Sequence, residues 1–229
     1  MKWNSMVKNN VIIVAGGKGL RMGSELPKQF ISIGGKPILM HTVDAFVDFD
    51  SNINVILVLH PSYVDFWASL CEEHNFHRKL TITTGGDTRF HSVKNGLKFI
   101  EEGLVAVHDA ARPFITKRLI DACFRGAADY SAAIPVIDST DSLRIMLDET
   151  RSKIVDRSKM KLVQTPQVFK AEILKKAYLA DFTDIFTDDA SVVEAMGVDI
   201  HLVDGDVANI KITTPFDLEV SEIILAHRN

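Results

Sequence analysis

Val11-Ile12-Ile13-Val14-Ala15-Gly16-Gly17-Lys18-Gly19-Leu20-Arg21-Met22-Gly23 is the stretch on which the reading of this chain turns. Residues 11–15 are apolar and rich in β-branched side chains, the composition of a strand buried on both faces. The run stops abruptly at Gly16-Gly17. A buried strand that breaks into glycines puts a side-chain-poor turn at the carboxyl edge of a sheet, where open α/β sheets bind their ligands. Without a Cβ, such a turn lets backbone N–H groups approach an anion closely. Between Gly16 and Lys36 stand Lys18, Arg21, Lys28 and Lys36 against a single acid, Glu25. The turn is therefore cationic in a chain whose formal net charge is −4.

Outward from this turn, short apolar runs alternate with amphipathic segments. Strands are expected at 54–59, 80–84, 104–108, 132–136 and 199–203. Helices are expected at 37–48, with Pro37 at the first helical position, and at 62–74, 90–100, 116–130, 170–182 and 188–196, with a last one from Pro215. Strands separated by helices of this length imply crossovers and a mostly parallel sheet covered on both faces. The expected class is α/β: a Rossmann-like, mostly parallel sheet with helices on both faces, in one domain spanning 1–229. Residues 138–160 break the rhythm, because charged side chains dominate and apolar ones are few. A long charged excursion from a compact domain is read as a protruding β-arm turning at about 148–152.

With 229 residues, 46% hydrophobic and 24% charged, the chain can bury a substantial core. Its slightly acidic balance gives no global reason to bind nucleic acid or an anionic membrane. Cys71 and Cys123 lack the close-spaced partners of a zinc site and read as reduced, buried thiols. Residues 1–10 lack the apolar run of a signal peptide, and no stretch approaches the roughly 20 apolar residues of a membrane span. A cytoplasmic protein is expected. Two familiar glycine motifs do not fit: Ser24-Glu25 follows Gly23 where a P-loop needs Lys then Ser or Thr, and Met22 occupies the third glycine position of the dinucleotide fingerprint, with Pro27 opposing an immediate helix.

Taken together with Pro27-Lys28-Gln29, the glycine-rich stretch resembles the opening motif of the sugar-phosphate nucleotidyltransferases. The resemblance sharpens downstream, at Gly85-Gly86-Asp87-Thr88-Arg89 with Ser92, His108-Asp109-Ala110-Ala111-Arg112-Pro113, Asp156-Arg157, Gln164-Thr165-Pro166-Gln167, Thr187-Asp188-Asp189-Ala190-Ser191 and Asn209-Ile210-Lys211-Ile212-Thr213. In that order the set is similar to the 2-C-methyl-D-erythritol 4-phosphate cytidylyltransferase family of the non-mevalonate isoprenoid pathway, over residues 11–225. The resemblance implies transfer of CMP from CTP to the acceptor phosphate with release of pyrophosphate, assisted by Mg²⁺, in a cytoplasmic homodimer.

The chemistry suits the residues. A phosphate monoester, with a second pKa near ~6, is already an ionised nucleophile at neutral pH and needs no general base. Preorganised cations and a metal do the rest by positioning and electrostatics. The resemblance casts Arg21 and Lys28 as transition-state stabilisers, and Arg157 and Lys211 as the residues that place the acceptor phosphate, Arg157 from the arm of the neighbouring subunit. It assigns the nucleotide to Ala15, Gly16, Gly17, Gly19, Gly86, Asp87, Ser92, Asp109 and Ala110. Gly86, Asp87 and Ser92 would read the cytosine with the backbone of Ala15 and Gly16, and Asp109 would orient Mg²⁺. It assigns the acceptor to Arg112, Thr165, Thr187 and a hydroxyl in the stretch 136–143, either Thr140 or Ser142, with Ser142 preferred. His108 reads as structural.

Three departures from the family pattern stand out. Val14-Ala15-Gly16-Gly17 replaces the usual Pro-Ala-Ala-Gly and looks more like the ribitol-5-phosphate cytidylyltransferases, the alternative acceptor class, although Ala110-Ala111 before Arg112 favours the erythritol branch. The 136–143 stretch is longer than the family's, and Ala208 stands where some members carry an acid. A dinucleotide-dependent oxidoreductase and a nucleotide-sensing module are the more distant alternatives.

Overall fold

A computed structural model describes residues 7–17 and 26–228. Its strands are β1 (Asn9–Ala15), β2 (Ser32–Ile33), β3 (Lys36–Pro37), β4 (Asn54–Leu59), β5 (Thr81–Thr84), β6 (Leu104–Asp109), β7 (Ala132–Asp138), β8 (Arg144–Met146), β9 (Ser152–Ile154), β10 (Lys161–Val163), β11 (Gln167–Lys170) and β12 (His201–Asp204). Its helices are α1 (Ile38–Phe49), α2 (Val64–Glu73), α3 (Arg89–Leu97), α4 (Lys117–Tyr130), α5 (Ala171–Ala177), α6 (Asp189–Glu194) and α7 (Pro215–Ala226).

The main sheet is mixed and mostly parallel, as expected. β1 lies at its centre, paired in parallel with β4 on one side and β6 on the other, and β5 continues in parallel beyond β4. Beyond β6 comes β11, antiparallel to both β6 and β7. Val136 of β7 pairs with both Val163 and Asp204, so β10 and β12 flank β7 on opposite edges.

Alternation along the central strands sends Val11, Ile13 and Ala15 to one face and Ile12 to the other, as the two-residue strand period requires. The first face is covered by α1, α2 and α4 through Phe46, Trp67 and Phe124. The second is covered by α3, α5 and α6 through Phe90, Leu174 and Val193. Each such fully buried side chain contributes about 1.5–3 kcal/mol. Cys123 is fully buried, but Cys71 is only partly so; both are free thiols.

Several boundaries differ from expectation. Pro37 precedes α1 instead of starting it, because it pairs with Ser32 across the β2–β3 ribbon and takes an extended ψ of 138°. The helix expected over 170–182 is the shorter α5, and the residues just before it, with Lys170, form β11, a strand that was not expected there. The charged excursion does contain a hairpin, β8–β9, in a two-stranded sheet of its own. Its base is closed by β7 and β10, where Lys161 pairs with Asp138.

Two glycines test how tightly the backbone is specified. Gly103 (φ +94°) precedes β6, and a Cβ there would lie 2.0 Å from the Lys8 carbonyl oxygen; Gly197 (φ +77°) faces open space. Gly197→Ala should cost only the left-handed strain, about 1 kcal/mol, whereas Gly103→Ala should cost roughly 3 kcal/mol or more because the Lys8 backbone must also move. Urea unfolding of both variants measures the difference.

Candidate active site

Four parallel strands end at one edge: β1 at Ala15, β4 at Leu59, β5 at Thr84 and β6 at Asp109. The segments that follow them must open on the same side. Because β11 runs the opposite way, its beginning reaches that edge instead, and the Gln164-Thr165-Pro166 segment before it arrives beside Asp109. From the end of β12 the chain returns over the same edge: the Asp206 N–H donates to Gln164 Oε1 (3.2 Å), and the Ile212 N–H to the Ala111 carbonyl (2.9 Å).

These segments enclose a cleft of about 450 Å³. Ala15, Gly16, Gly17, Lys28 and Ala110 line it, as do Gly86, Asp87, Ser92, Asp109 and Lys211. Most of the residues singled out from sequence are thus brought together. Gly19 and Arg21 lie outside the described residues.

The glycines are needed for closeness. A Cβ on Gly16 would stand 3.0 Å from Ser92 Oγ, and one on Gly85 2.9 Å from it. Ser92, buried on α3, donates its hydroxyl to the Thr88 carbonyl (3.0 Å) and accepts the Gly86 N–H (3.2 Å). Its donor is used internally, so Ser92 shapes the turn that presents Gly86 and Asp87. On the opposite side Gln29, 4% exposed, donates to the carbonyls of Ala15 (3.1 Å) and Gly17 (3.4 Å). The grip of Gln29 on the glycine turn is a long-range contact that no local sequence pattern announces. Next to it, Phe30 is buried edge-on against Phe66 at 5.3 Å, which fixes the short 3-10 turn that carries Lys28.

Asp109 is the electrostatic centre. Lys211 Nζ lies 2.8 Å from its Oδ2, Arg112 Nε 3.6 Å from the same atom, and Arg89 Nε 3.5 Å from Oδ1. Burial alone would push this carboxyl up; Arg89, Lys211 and Arg112 overrule it and hold it well below the usual carboxylate range. Arg89, half-buried at the cleft wall, is held firmly charged because Asp189 and Asp109 both face it. Arg89 closes the motif over residues 85–89, and nothing in its sequence neighbourhood points to this role. Arg112 is lowered chiefly by burial, opposed by Asp109, and its Nη1 donates to the Asn209 carbonyl at 2.8 Å.

Behind Asp109 runs a chain of hydrogen bonds. The Asp109 N–H donates to Thr165 Oγ1 (3.1 Å), which lies 3.0 Å from His108 Nδ1, while His108 Nε2 lies 3.0 Å from the Arg112 carbonyl. A carbonyl can only accept, so Nε2 carries the proton and Thr165 donates to Nδ1. His108 is completely buried and stacks edge-on against Phe46. The expectation that it is structural agrees with this placement. Thr165, assigned to the acceptor, has its hydroxyl proton committed to His108.

Five of the assigned and described residues are not part of the cleft lining: Arg112 and Thr165, which contact Asp109 from beside it, and three that lie further out. Thr187 is exposed, just before Asp188, whose side chain caps α6 in a reciprocal box with Ser191. Ser142 and Arg157 are exposed on the hairpin segment, and Arg157 Nη1 donates to the carbonyl of Thr140 in its own chain at 2.7 Å. Among the described residues no group of three or more His, Cys, Asp or Glu could hold a metal ion.

A side-chain-poor turn at a parallel sheet edge, facing a cluster of cations, defines an α/β protein built to hold phosphorylated ligands. Residues 9–227 match the family described as IspD, 2-C-methyl-D-erythritol 4-phosphate cytidylyltransferase. A protein of that name from Bacteroides thetaiotaomicron is 56% identical over 220 residues, covering 96% of this chain and 100% of that one. Another, from Bacteroides fragilis, is 58% identical over 215 residues, covering 93% and 98%. The crystal structure of 4-diphosphocytidyl-2C-methyl-D-erythritol synthase from Anaerococcus prevotii superposes with a TM-score of 0.81 at 26% identity, covering 96% of this chain and 99% of that one. The cytidylyltransferase structure from Thermus thermophilus gives 0.77 at 31% identity, covering 96% and 100%. This chain belongs to the 2-C-methyl-D-erythritol 4-phosphate cytidylyltransferase family, and it is an enzyme of the cytidylyltransferase class.

His108 gives the site a measurable pH signature. Burial pushes it from 6.5 down to about 4. Between those values the unfolded chain binds a proton that the folded one refuses, so stability falls as pH drops from 6.5 toward 4, by about 3 kcal/mol at most. In His108→Gln that part of the pH dependence should vanish, whatever the substitution costs at neutral pH. Denaturant titrations at pH 7 and pH 4.5 of both proteins supply the comparison.

Proposed function

We propose that this chain transfers the cytidylyl group of CTP to 2-C-methyl-D-erythritol 4-phosphate and releases pyrophosphate. The observation that carries the reading is the buried Asp109 ringed by Arg89, Arg112 and Lys211 beside the Gly16-Gly17 turn. Arg89, Arg112 and Lys211 outnumber Asp109 and the Asp189 that pairs with Arg89, which leaves local positive charge for two anionic substrates. An acceptor phosphate oxygen attacks the α-phosphorus of CTP, a new P–O bond forms, and the bond to the bridging oxygen of the β-phosphate breaks as pyrophosphate leaves. The acceptor is already ionised, so no protein base is required, and the neutral, internally bonded His108 fits that requirement.

In this reading the glycine turn and Gly86-Asp87 hold the nucleotide, with Ser92 acting through the backbone of Gly86. Arg112, Lys211 and Thr165 face the acceptor, Thr165 through an oxygen lone pair, and Thr187 and Ser142 join from more exposed positions. Lys28, with Arg21, stabilises charge on the transferred phosphoryl group. Mg²⁺ is the proposed cofactor: Asp109 lines the cleft and stays ionised, so it suits one ligand position, while the lack of an acidic cluster among the described residues means that phosphate and water oxygens must supply the rest. When bound, the ion would neutralise phosphate charge.

The reading includes a homodimer built on the arm at about 138–160. Ile145, Met146 and Leu147 are each at least half exposed and Ile154 is 78% exposed, an apolar surface that a second copy would cover. Arg157 would then serve the neighbouring site. No described helix is long and apolar enough to cross a membrane, and a cytoplasmic location is proposed with the rest. The Ala-Gly-Gly turn is the observation favouring D-ribitol 5-phosphate as acceptor; relatives 56% and 58% identical and named for the erythritol substrate outweigh it.

Pyrophosphate release with CTP but not ATP, and with the methylerythritol phosphate in strong preference to ribitol 5-phosphate, is the expected result; the reverse acceptor preference would overturn the assignment. In the same assay Lys28→Ala should lose about 10²–10³-fold in turnover with its fold intact. Shared sites make a separate prediction. Lys28→Ala and Arg157→Ala, each nearly inactive alone, should recover up to about a quarter of wild-type activity when subunits are exchanged at equal amounts, since half the dimers are mixed and each of those holds one intact site. No recovery in verified mixed dimers would place Arg157 in its own subunit's chemistry.

A further inference from the structure

The acid at position 189 is completely buried, on the first turn of α6. Its two oxygens have different partners: Oδ1 accepts from the Tyr178 hydroxyl at 2.6 Å, and Oδ2 accepts from Arg89 Nη2 at 2.7 Å. Tyr178 is itself buried and stacked on Phe90 at 4.6 Å. Burial and the neighbouring Asp189 push its phenol well above the ordinary range, so it remains a donor. An acid in such a place is costly to desolvate, and an apolar side chain of similar volume would often stabilise the core at least as well. What the acid provides is a fixed grip on one end of the Arg89 guanidinium.

The other end of Arg89 faces the cleft that it helps to line. Its Nε stands 3.5 Å from Asp109 Oδ1, a charge contact too long for a good hydrogen bond. Arg89 is therefore placed from behind, by Asp189, more than by Asp109 in front. It is also the first residue of α3, directly after the Gly86-Asp87-Thr88 turn. The lever thus runs from the buried core to the nucleotide side of the cleft, whereas Arg112 and Lys211 approach Asp109 from segments on the acceptor side.

We propose that Asp189, supported by Tyr178, is a positioning residue for the nucleotide half of the site, acting through Arg89. Asp189 aims a guanidinium at the triphosphate-binding side of the cleft and sets one flank of the charge cluster around Asp109. The inference rests on the cytidylyl-transfer reading and deepens it, by assigning a role to a residue with no place in the cleft itself.

Steady-state kinetics of the full-length enzyme, with CTP and methylerythritol phosphate varied separately, test it. Asp189→Asn keeps the shape and removes the charge; the KM for CTP should rise by about tenfold while the KM for the acceptor stays within roughly twofold. Arg89→Ala should show the same split, Arg89→Lys should recover part of it, and the double variant Arg89→Ala/Asp189→Asn should be no worse than Arg89→Ala alone, because the two act as one unit. Tyr178→Phe, which keeps the ring stacking, should raise the KM for CTP in the same direction by about threefold and stands in if Asp189→Asn does not fold. An unchanged KM for CTP in folded Asp189→Asn or Tyr178→Phe would overturn the proposal, as would equal rises for both substrates or additive losses in the double variant. Wild-type enzyme assayed alongside separates the two levels: no CTP-dependent turnover there sinks the functional reading, whereas normal wild-type turnover with unaltered variants sinks this inference alone.

Discussion

A carboxylate buried among cations is the interaction on which this site depends. Taking Asp109 out of water costs several kcal/mol in isolation, and Arg89, Arg112 and Lys211 would repel one another if brought to the same place without it. Each partner answers the other's problem. The three cations come from three different pieces of chain: the start of α3, the segment after β6, and the stretch after β12. Asp109 therefore does more than carry charge. It ties the stretch after β12 to the end of β6 through Lys211, it faces an Arg89 held from behind by Asp189, and the cluster stays net positive, which anionic ligands require.

Strand direction decides which residues can join that cluster. Parallel β1, β4, β5 and β6 deliver their carboxyl ends to one edge, which explains why the glycine turn, Gly86-Asp87 and Asp109 share a cleft although nearly a hundred residues separate the first from the last. The antiparallel β11 delivers its beginning, and so Thr165, to the same place. Had β11 run parallel to β6, the Gln164–Pro166 segment would sit at the far edge of the sheet. The hydrogen bond from the Asp109 N–H to Thr165 Oγ1 exists because one strand is reversed.

Much of this was legible before any coordinates. The buried strands announce themselves as apolar runs because a parallel strand covered on both faces has no polar alternation to hide in, and the glycine turn is visible because it breaks the first of them. The turn's own cationic character was legible as local charge in Lys18, Arg21, Lys28 and Lys36, whereas Arg112 and Lys211 were reached only through the family resemblance. Other features were not. β11 is four residues long, with only Val168 and Phe169 apolar, and runs directly into α5, too short a run to announce a strand. Pro37 looks like a helix start until its partner Ser32 is known. Arg89, Gln29 and Asp189 gain meaning from partners 12 to 100 residues away, and a single sequence carries no record of such pairings. Ser92 and Thr165 stood out in the sequence, but it could not tell that their hydroxyl protons are engaged internally.

His108 and Asp109, adjacent in sequence, look like the beginnings of an acid–base pair, and the fold separates them by the simplest means a strand has. Successive side chains point to opposite faces. His108 turns to Phe46 and into the core, where burial keeps it neutral and its two nitrogens are occupied by Thr165 and the Arg112 carbonyl. Asp109 turns toward the cleft, where the cations keep it ionised. Neither can readily exchange a proton near neutral pH: the imidazole resists gaining one, and the carboxylate holds none to give. A site built this way is poorly suited to general acid–base catalysis and well suited to a reaction whose nucleophile arrives already charged. That constraint comes from the strand period and from burial, and it favours phosphoryl-group transfer by positioning over any mechanism that needs a proton shuttle at this edge of the sheet.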